Sequence, residues 1–225
     1  MAQHSTSSSG CSDHHHHQPG HVCNHAPSSF AENLDEIEFS RSIHAACIAN
    51  NSERVKTILS KGTRGGISPA DSLDSSGYTA LHYASRVGNK DICTLLLNAG
   101  ADVDAKTPEL GATPLMRAVQ QNHLAVVRLL VSYGADVELV NSDRENVFHI
   151  LAKAASSSSG QDRGEKFIGL ARWLKVKADS QSGRFQRMLQ ALDLQGHRPQ
   201  EYLHNCDGLA DIWSLDADPH VTTQN

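Results

Sequence analysis

A chain of 225 residues, 39% hydrophobic and 20% charged, has room for one or two ordinary domains and enough apolar surface for a packed core. Its formal net charge of −5 argues against general nucleic-acid affinity, which needs a basic surface. No apolar run approaches the ~18 residues of a membrane span, and the opening MAQHSTSSSG has neither the basic nor the apolar region of a secretory signal. The cysteines (Cys11, Cys23, Cys47, Cys93, Cys206) are odd in number and scattered, and without an export signal they read as reduced thiols of the cytoplasm or nucleus.

Residues 1–29 are rich in Ser, His and Pro and nearly free of large apolar side chains, so they are expected to be disordered. This tail also holds the one stretch with metal-ligand chemistry: Cys11, His14, His21, Cys23 and His25, around a four-His run. Thiolate and imidazole suit zinc, but no paired C-x2-C fixes one geometry, so a solvated tail with adventitious affinity is the competing reading. Order is expected from about residue 30, where Ser29 and Glu32 stand at capping-box spacing before Leu34, Ile37 and Phe39.

Ser42–Gly62 then reads as two short helices. The same pattern returns in Asp74–Ala105 with Thr79-Ala80-Leu81-His82-Tyr83-Ala84, and in the third unit with Thr113-Pro114-Leu115-Met116-Arg117-Ala118. His44 aligns with His82, Ala46 with Ala84, Val55 with Cys93 and Gly62 with Gly100. Gly77 is read as the positive-φ residue of a turn, Thr79 as a helix cap, and Gly100 as a helix terminator. Ile92, Leu95 and Leu96 are the predicted buried stripe of the second helix. In the third unit Val126, Val127, Leu129 and Leu130 take that role. A fourth unit keeps the spacing at Phe148-His149 but has Arg144 where the turn glycine is expected. Its helices are separated by a serine-rich insert, 155–164, and its second helix spans about Glu165–Lys175. An extra basic segment covers 176–192. Asp193-Leu194-Gln195-Gly196-His197-Arg198-Pro199 opens a degenerate cap that ends near 214, and 215–225 reads as a disordered acidic tail.

These units, about 33 residues long with a near T-P-L-H-x-A signature, resemble the ankyrin-repeat family. The resemblance implies an all-α solenoid of stacked helix-turn-helix units, about four repeats plus the cap, within an ordered domain of 30–214. It also implies a non-enzymatic scaffold or adaptor that binds another protein through the concave face of turns and first helices. In the family register the positions without packing duty are Ser75, Ser76, Tyr78, Arg86 and Val87 in the second unit. In the third they are Glu109, Leu110, Ala112, Gln120 and Gln121, and in the fourth Ser142, Asp143, Glu145 and Lys153. Tyr78, Arg86 and Leu110 stand out, since aromatic and Arg side chains are enriched among interface anchors and exposed apolar groups are conspicuous. The histidine of the signature is expected to tie neighbouring turns together, so Met116 would cost the third unit one tether.

Catalysis finds little support. No G-x-S-x-G, P-loop or H-E-x-x-H occurs, Cys47 and Cys93 fall at core positions, and Asp102, Asp104 and Asp136 fall in turns. No cofactor is expected, and the chain reads as a monomer with a protein partner and no membrane attachment. Two alternatives stay open: a zinc-binding module using the N-terminal tail, and a substrate-recognition subunit of a larger enzyme complex such as a ubiquitin ligase. The stretch from Arg163 to Arg187 carries a local net charge of +5, which reads either as a solvated face partly neutralised by the acidic C-terminal region or as a site for an acidic partner or nucleic acid. Asp74–Val137 is expected to be the most stable part and 155–164 the fastest-exchanging.

Overall fold

In the computed structural model the described residues are 42–62, 68–157, 165–179, 183–203 and 206–214. The N-terminal tail with its Cys and His residues, the expected cap around Ser29 and the final 215–225 all lie outside them.

The described chain is helical throughout. The first helices of the units are α1 (Ile43–Ile48), α3 (Ala80–Val87), α5 (Pro114–Gln120) and α7 (Val147–Ser157), and they pack in sequence against one another. The second helices α2 (Ser52–Ser60), α4 (Lys90–Asn98) and α6 (Leu124–Ser132) stack as an outer row. In the fourth unit α8 (Glu165–Asp179) packs against α7, with α9 (Arg184–Gln190) and α10 (Asp207–Ser214) laid against it. A 3-10 turn at Pro199–Tyr202 takes the place of a fifth first helix and packs on α7.

Each unit begins with one turn, built the same way three times. Asp74 Oδ1 accepts the N–H groups of Ser76 (3.0 Å) and Tyr78 (2.8 Å). Asn141 Oδ1 takes those of Asp143 (3.0 Å) and Glu145 (2.8 Å), and Asp193 Oδ1 those of Gln195 and His197, both at 2.9 Å. A short polar side chain here replaces backbone partners that the tight turn leaves open. The fourth residue must enter the left-handed region: Gly77 at φ +74°, Arg144 at +60° and Gly196 at +79°. Gly77 has a second reason, because a Cβ there would lie 2.3 Å from Pro108 of the next turn. Arg144 thus preserves the turn that its sequence put in question. The third unit's turn is one residue longer, and Thr107 closes it by accepting the Ala112 N–H on its hydroxyl at 3.0 Å.

The core follows the helical period, shifted from the expected stripe. Ile92, Cys93, Leu96 and Leu97 are buried on α4, with Leu95 only half-buried; on α6 Val126, Val127 and Leu130 are buried and Leu129 is not. Each fully buried Leu, Ile or Phe contributes about 1.5–3 kcal/mol relative to exposure. Two expected boundaries move. Ala155, placed in the serine-rich insert, is fully buried in the last turn of α7, which runs to Ser157. The extra segment expected from 176 starts later, since residues 176–179 complete α8, where Ala178 is buried.

Candidate functional site

The turns and first helices share one face, and the structure sorts the sequence-predicted positions on it. Ser75, Ser76, Arg86, Val87, Glu109, Leu110, Gln120, Gln121, Ser142 and Asp143 are exposed. Ala112 and Glu145 are not: each is only 7% exposed. Ala112 is covered because its carbonyl accepts the His82 Nε2–H at 3.0 Å. Glu145 is drawn inward by Lys153, whose ammonium it binds, and by Asn141 Nδ2 at 2.7 Å.

Tyr78, one of the conspicuous positions, is held by its own chain. Its hydroxyl accepts from Arg117 Nη2 at 2.8 Å, the guanidinium carbon lies 5.4 Å from its ring centroid, and its ring packs edge-on to His82 at 5.6 Å. It is an inter-unit strut, half-buried rather than free. Tyr83 is engaged likewise, donating to Asp74 Oδ2 at 2.6 Å. The sequence carried an unread signal here: Tyr83 follows Asp74 by nine residues, and Tyr202 follows Asp193 by nine and donates to its Oδ2.

Histidine tethers link the units. His44 Nε2–H donates to the Ser72 carbonyl at 2.9 Å, and His149 Nε2–H to the His197 carbonyl at 3.2 Å. His82 Nδ1 accepts the Thr79 hydroxyl at 2.8 Å and the Thr79 N–H at 3.3 Å, which leaves the ring proton on Nε2 for Ala112. Burial holds His82 and His149 below the ordinary imidazole range, so both rings stay neutral as tethers rather than act as general acids. Met116 has no such bond to give. The junction behind it has the Ser142 N–H to the Leu110 carbonyl at 2.9 Å, the counterpart of the Leu194 N–H to the Asp143 carbonyl at the next junction, and the Ser142 hydroxyl to the Glu109 carbonyl at 3.2 Å.

Between the third and fourth units the face opens into a cleft of about 620 Å³ lined by Gln120, Gln121, Asn122, Glu145, Ile150, Lys153, Ala154, Ser157, Lys166 and Phe167. It exists because α7 has 11 residues where α5 has 7, so the last turn of α7 overhangs the end of α5. Asn122, at φ +59°, turns the chain from α5 into α6 and crosses the cleft to donate to the Lys166 carbonyl at 2.6 Å. Lys153 forms one wall, bound to Glu145, 3.8 Å from Asp193 Oδ2 and 4.3 Å above the Tyr202 ring. Burial alone would push this ammonium down, but the hydrogen bonds to Glu145 and Tyr202 hold it above the ordinary lysine range. Burial would likewise raise Asp193, yet the Tyr202 hydroxyl, the His197 and Gln195 N–H groups and Lys153 bring it to about 2.

Burial pushes the Cys47 and Cys93 thiols up to about 12, as expected for core positions. Asp102 and Asp136 accept the N–H groups of Asp104 (3.0 Å) and Glu138 (2.9 Å), the turn role expected of them. Among the described residues no cluster of three or more His, Cys, Asp or Glu side chains is arranged to hold a metal, and no helix is long and apolar enough to cross a membrane. The basic segment is partly committed within the fold. Arg184 and Arg187 approach Glu138 at 3.1 and 3.7 Å, and Lys175 donates to the Ile212 carbonyl at 3.0 Å.

Comparison with known proteins agrees with this stack. The family model described as ankyrin repeats matches three copies over residues 43–141. Residues 43–141 are ankyrin repeats. The same turn recurs where that span ends, at Asn141, and again at Asp193. Human ankyrin repeat domain-containing protein 39 is 39% identical over 90 residues, covering 39% of this chain and 46% of that protein. The mouse B-cell lymphoma 3 protein homolog is 37% identical over 95 residues, 42% of this chain and 21% of its own length. Palmitoyltransferase Hip14 of Drosophila melanogaster is 42% identical over 77 residues, 34% of this chain and 12% of its own length. The chain thus spans less than half the length of each of these relatives. Ankyrin repeats generally mediate protein–protein interaction.

Proposed function

We propose that this protein is a non-enzymatic adaptor that binds a partner protein on the concave face of its turns and first helices. One observation carries the reading: Gln120, Gln121, Glu145 and Lys153, picked out by repeat register alone, line a single cleft on that face. Exposed carboxamides beside a half-buried apolar floor suit recognition of a peptide chain, since each amide both donates and accepts. Buried, unreactive thiols and neutral tethering histidines support a binding role over a catalytic one. The alignment with Hip14 covers only a small share of that protein, which supports reading the shared part as an interaction module. A chain that keeps Cys47, Cys93 and Cys206 as thiols suits the cytoplasm or nucleus.

Site-specific photocrosslinking tests the face. A photoreactive residue at Gln121 or Arg86 should give protein adducts, whereas one at Ser132, on α6 of the outer row, should not. Adducts that form equally at Ser132, or only there, would move the binding site off this face.

A further inference from the structure

The cleft and the helix row leading to it have a charge pattern that narrows the partner. Three successive first helices present the same register position as Arg86, Gln120 and Lys153, spaced 34 and 33 residues apart, with Val87, Gln121 and Ala154 beside them. Arg86 is exposed at one end of this row, and Lys166 is exposed on the cleft at the other. Neither has an ion-pair partner among the described residues. The cation between them is compensated: Lys153 binds Glu145 and faces Asp193. Arg117 is also occupied, by Tyr78 and by Gln120 Oε1 at 3.4 Å. The exposed carboxylates of this face, Glu109 and Asp143, stand on the turns, away from the helix row. The helix row is therefore basic at both ends, while the turns carry both signs, Glu109 and Asp143 with the exposed Arg144.

We propose that the row from Arg86 to Lys166 binds an extended acidic segment of a partner protein through two carboxylate side chains, with the intervening main chain on the Gln120 and Gln121 amides. This rests on the concave-face reading above and adds the chemistry of the partner. Arg86 stands on α3 and Lys166 at the start of α8, beside Asn122 just past the end of α5. Helix spacings are roughly 8–10 Å and an extended chain rises about 3.3 Å per residue, so the two carboxylates are separated by several residues of extended chain. Ile150, Ala154 and Phe167 floor the cleft and take a small apolar side chain between them.

The test is selection of a random-peptide phage library on the full chain, followed by anisotropy of the enriched peptides as fluorescein conjugates. The expected sequences carry paired Asp or Glu at that spacing and bind more weakly as salt rises. Arg86→Glu with Lys166→Glu should weaken them by about tenfold or more, while Arg128→Glu on the outer row changes nothing. Enriched peptides without paired carboxylates that are nonetheless lost on Gln121→Arg would overturn the acidic partner and leave the face standing. Peptides indifferent to Arg86, Gln121 and Lys166 would overturn both. Failure to enrich any sequence would overturn the acidic-segment proposal and leave the face to the crosslinking result.

Discussion

Asp74–Val137 and Asn141–Trp213 follow one plan with different chemistry behind it. In the first region helices of 7 to 9 residues alternate, and each unit packs much as its neighbour does. In the second the turn is retained twice, at Asn141 and Asp193, but α7 and α8 lengthen to 11 and 15 residues. There a buried aromatic cluster forms the core, whereas Tyr78 and Tyr83 of the first region are half-buried: Phe148 packs edge-on to Phe185 at 5.3 Å and to Trp213 at 5.8 Å. The regions meet where Met116 supplies no tether. The turn is thus the fixed part of the plan and the packing behind it is free to change. In a stack whose stability approximates a sum of unit and interface terms, two regions so different in packing can differ in stability.

The largest expected effect tests whether they are separable. Phe148→Ala removes the ring at the centre of the aromatic cluster and should cost about 4 kcal/mol in urea unfolding. Hydrogen exchange should localise the loss to α7–α10, while α3–α6 keep their protection. Protection lost evenly across both regions would show one cooperative unit and erase the distinction.

A smaller contrast lies in the two Asp–Tyr turns. Asp193 is 4% exposed and faces Lys153, whereas Asp74 is half-buried and has no lysine partner among the described residues. Asp193→Ala should cost about 2 kcal/mol, and Asp74→Ala less. Acid titration gives the sign independently. With its carboxyl brought to about 2, below the unfolded value near 3.9, Asp193 contributes fully above about pH 4, and the contribution fades as pH falls toward 2. Equal costs for the two alanine variants, with no difference in their acid profiles, would remove the contrast.

The junction itself should respond to Met116→His. Thr113 stands before residue 116 as Thr79 stands before His82, so the new ring would take the Thr113 hydroxyl and donate to the Glu145 carbonyl. A gain of about 1 kcal/mol in thermal unfolding is expected. A loss would show that the core has closed around the thioether.

Much of the fold was legible because it repeats. His44, His82 and His149 predicted their own tethers, and Gly77 and Gly100 their left-handed conformations, at φ +74° and +86°. The missing tether at Met116 could be read as well, though not that the Ser142 hydroxyl would bond across its junction. The site was legible in part, since register identifies which positions leave the core but not what else they meet. Ala112 lost its exposure to a tether from the preceding unit, Glu145 to Lys153, and Tyr78 to Arg117. All three are pairings between neighbouring turns or helices that spacing within one unit does not reveal. Ala155 was misplaced because a run of serines reads as loop, whereas the end of α7 is set by what packs against it.

Arg144 gives the smallest and most local test. The turns at Gly77 and Gly196 place glycine where the backbone is left-handed, and Arg144 adopts the same conformation at φ +60° with an exposed side chain. A Cβ in this region costs about 1–2 kcal/mol, and glycine relieves it. Glycine also adds freedom to the unfolded chain, which takes back about 0.4–1 kcal/mol. Arg144→Gly should therefore stabilise the fourth unit by about 0.5 kcal/mol, read as a small rise in the urea midpoint at unchanged m. Since the Asn141 side chain already accepts the N–H groups of Asp143 and Glu145, the turn does not depend on residue 144 for its form. A destabilised variant would mean that the Arg144 side chain holds the turn through contacts of its own, and the three turns would no longer share one cause.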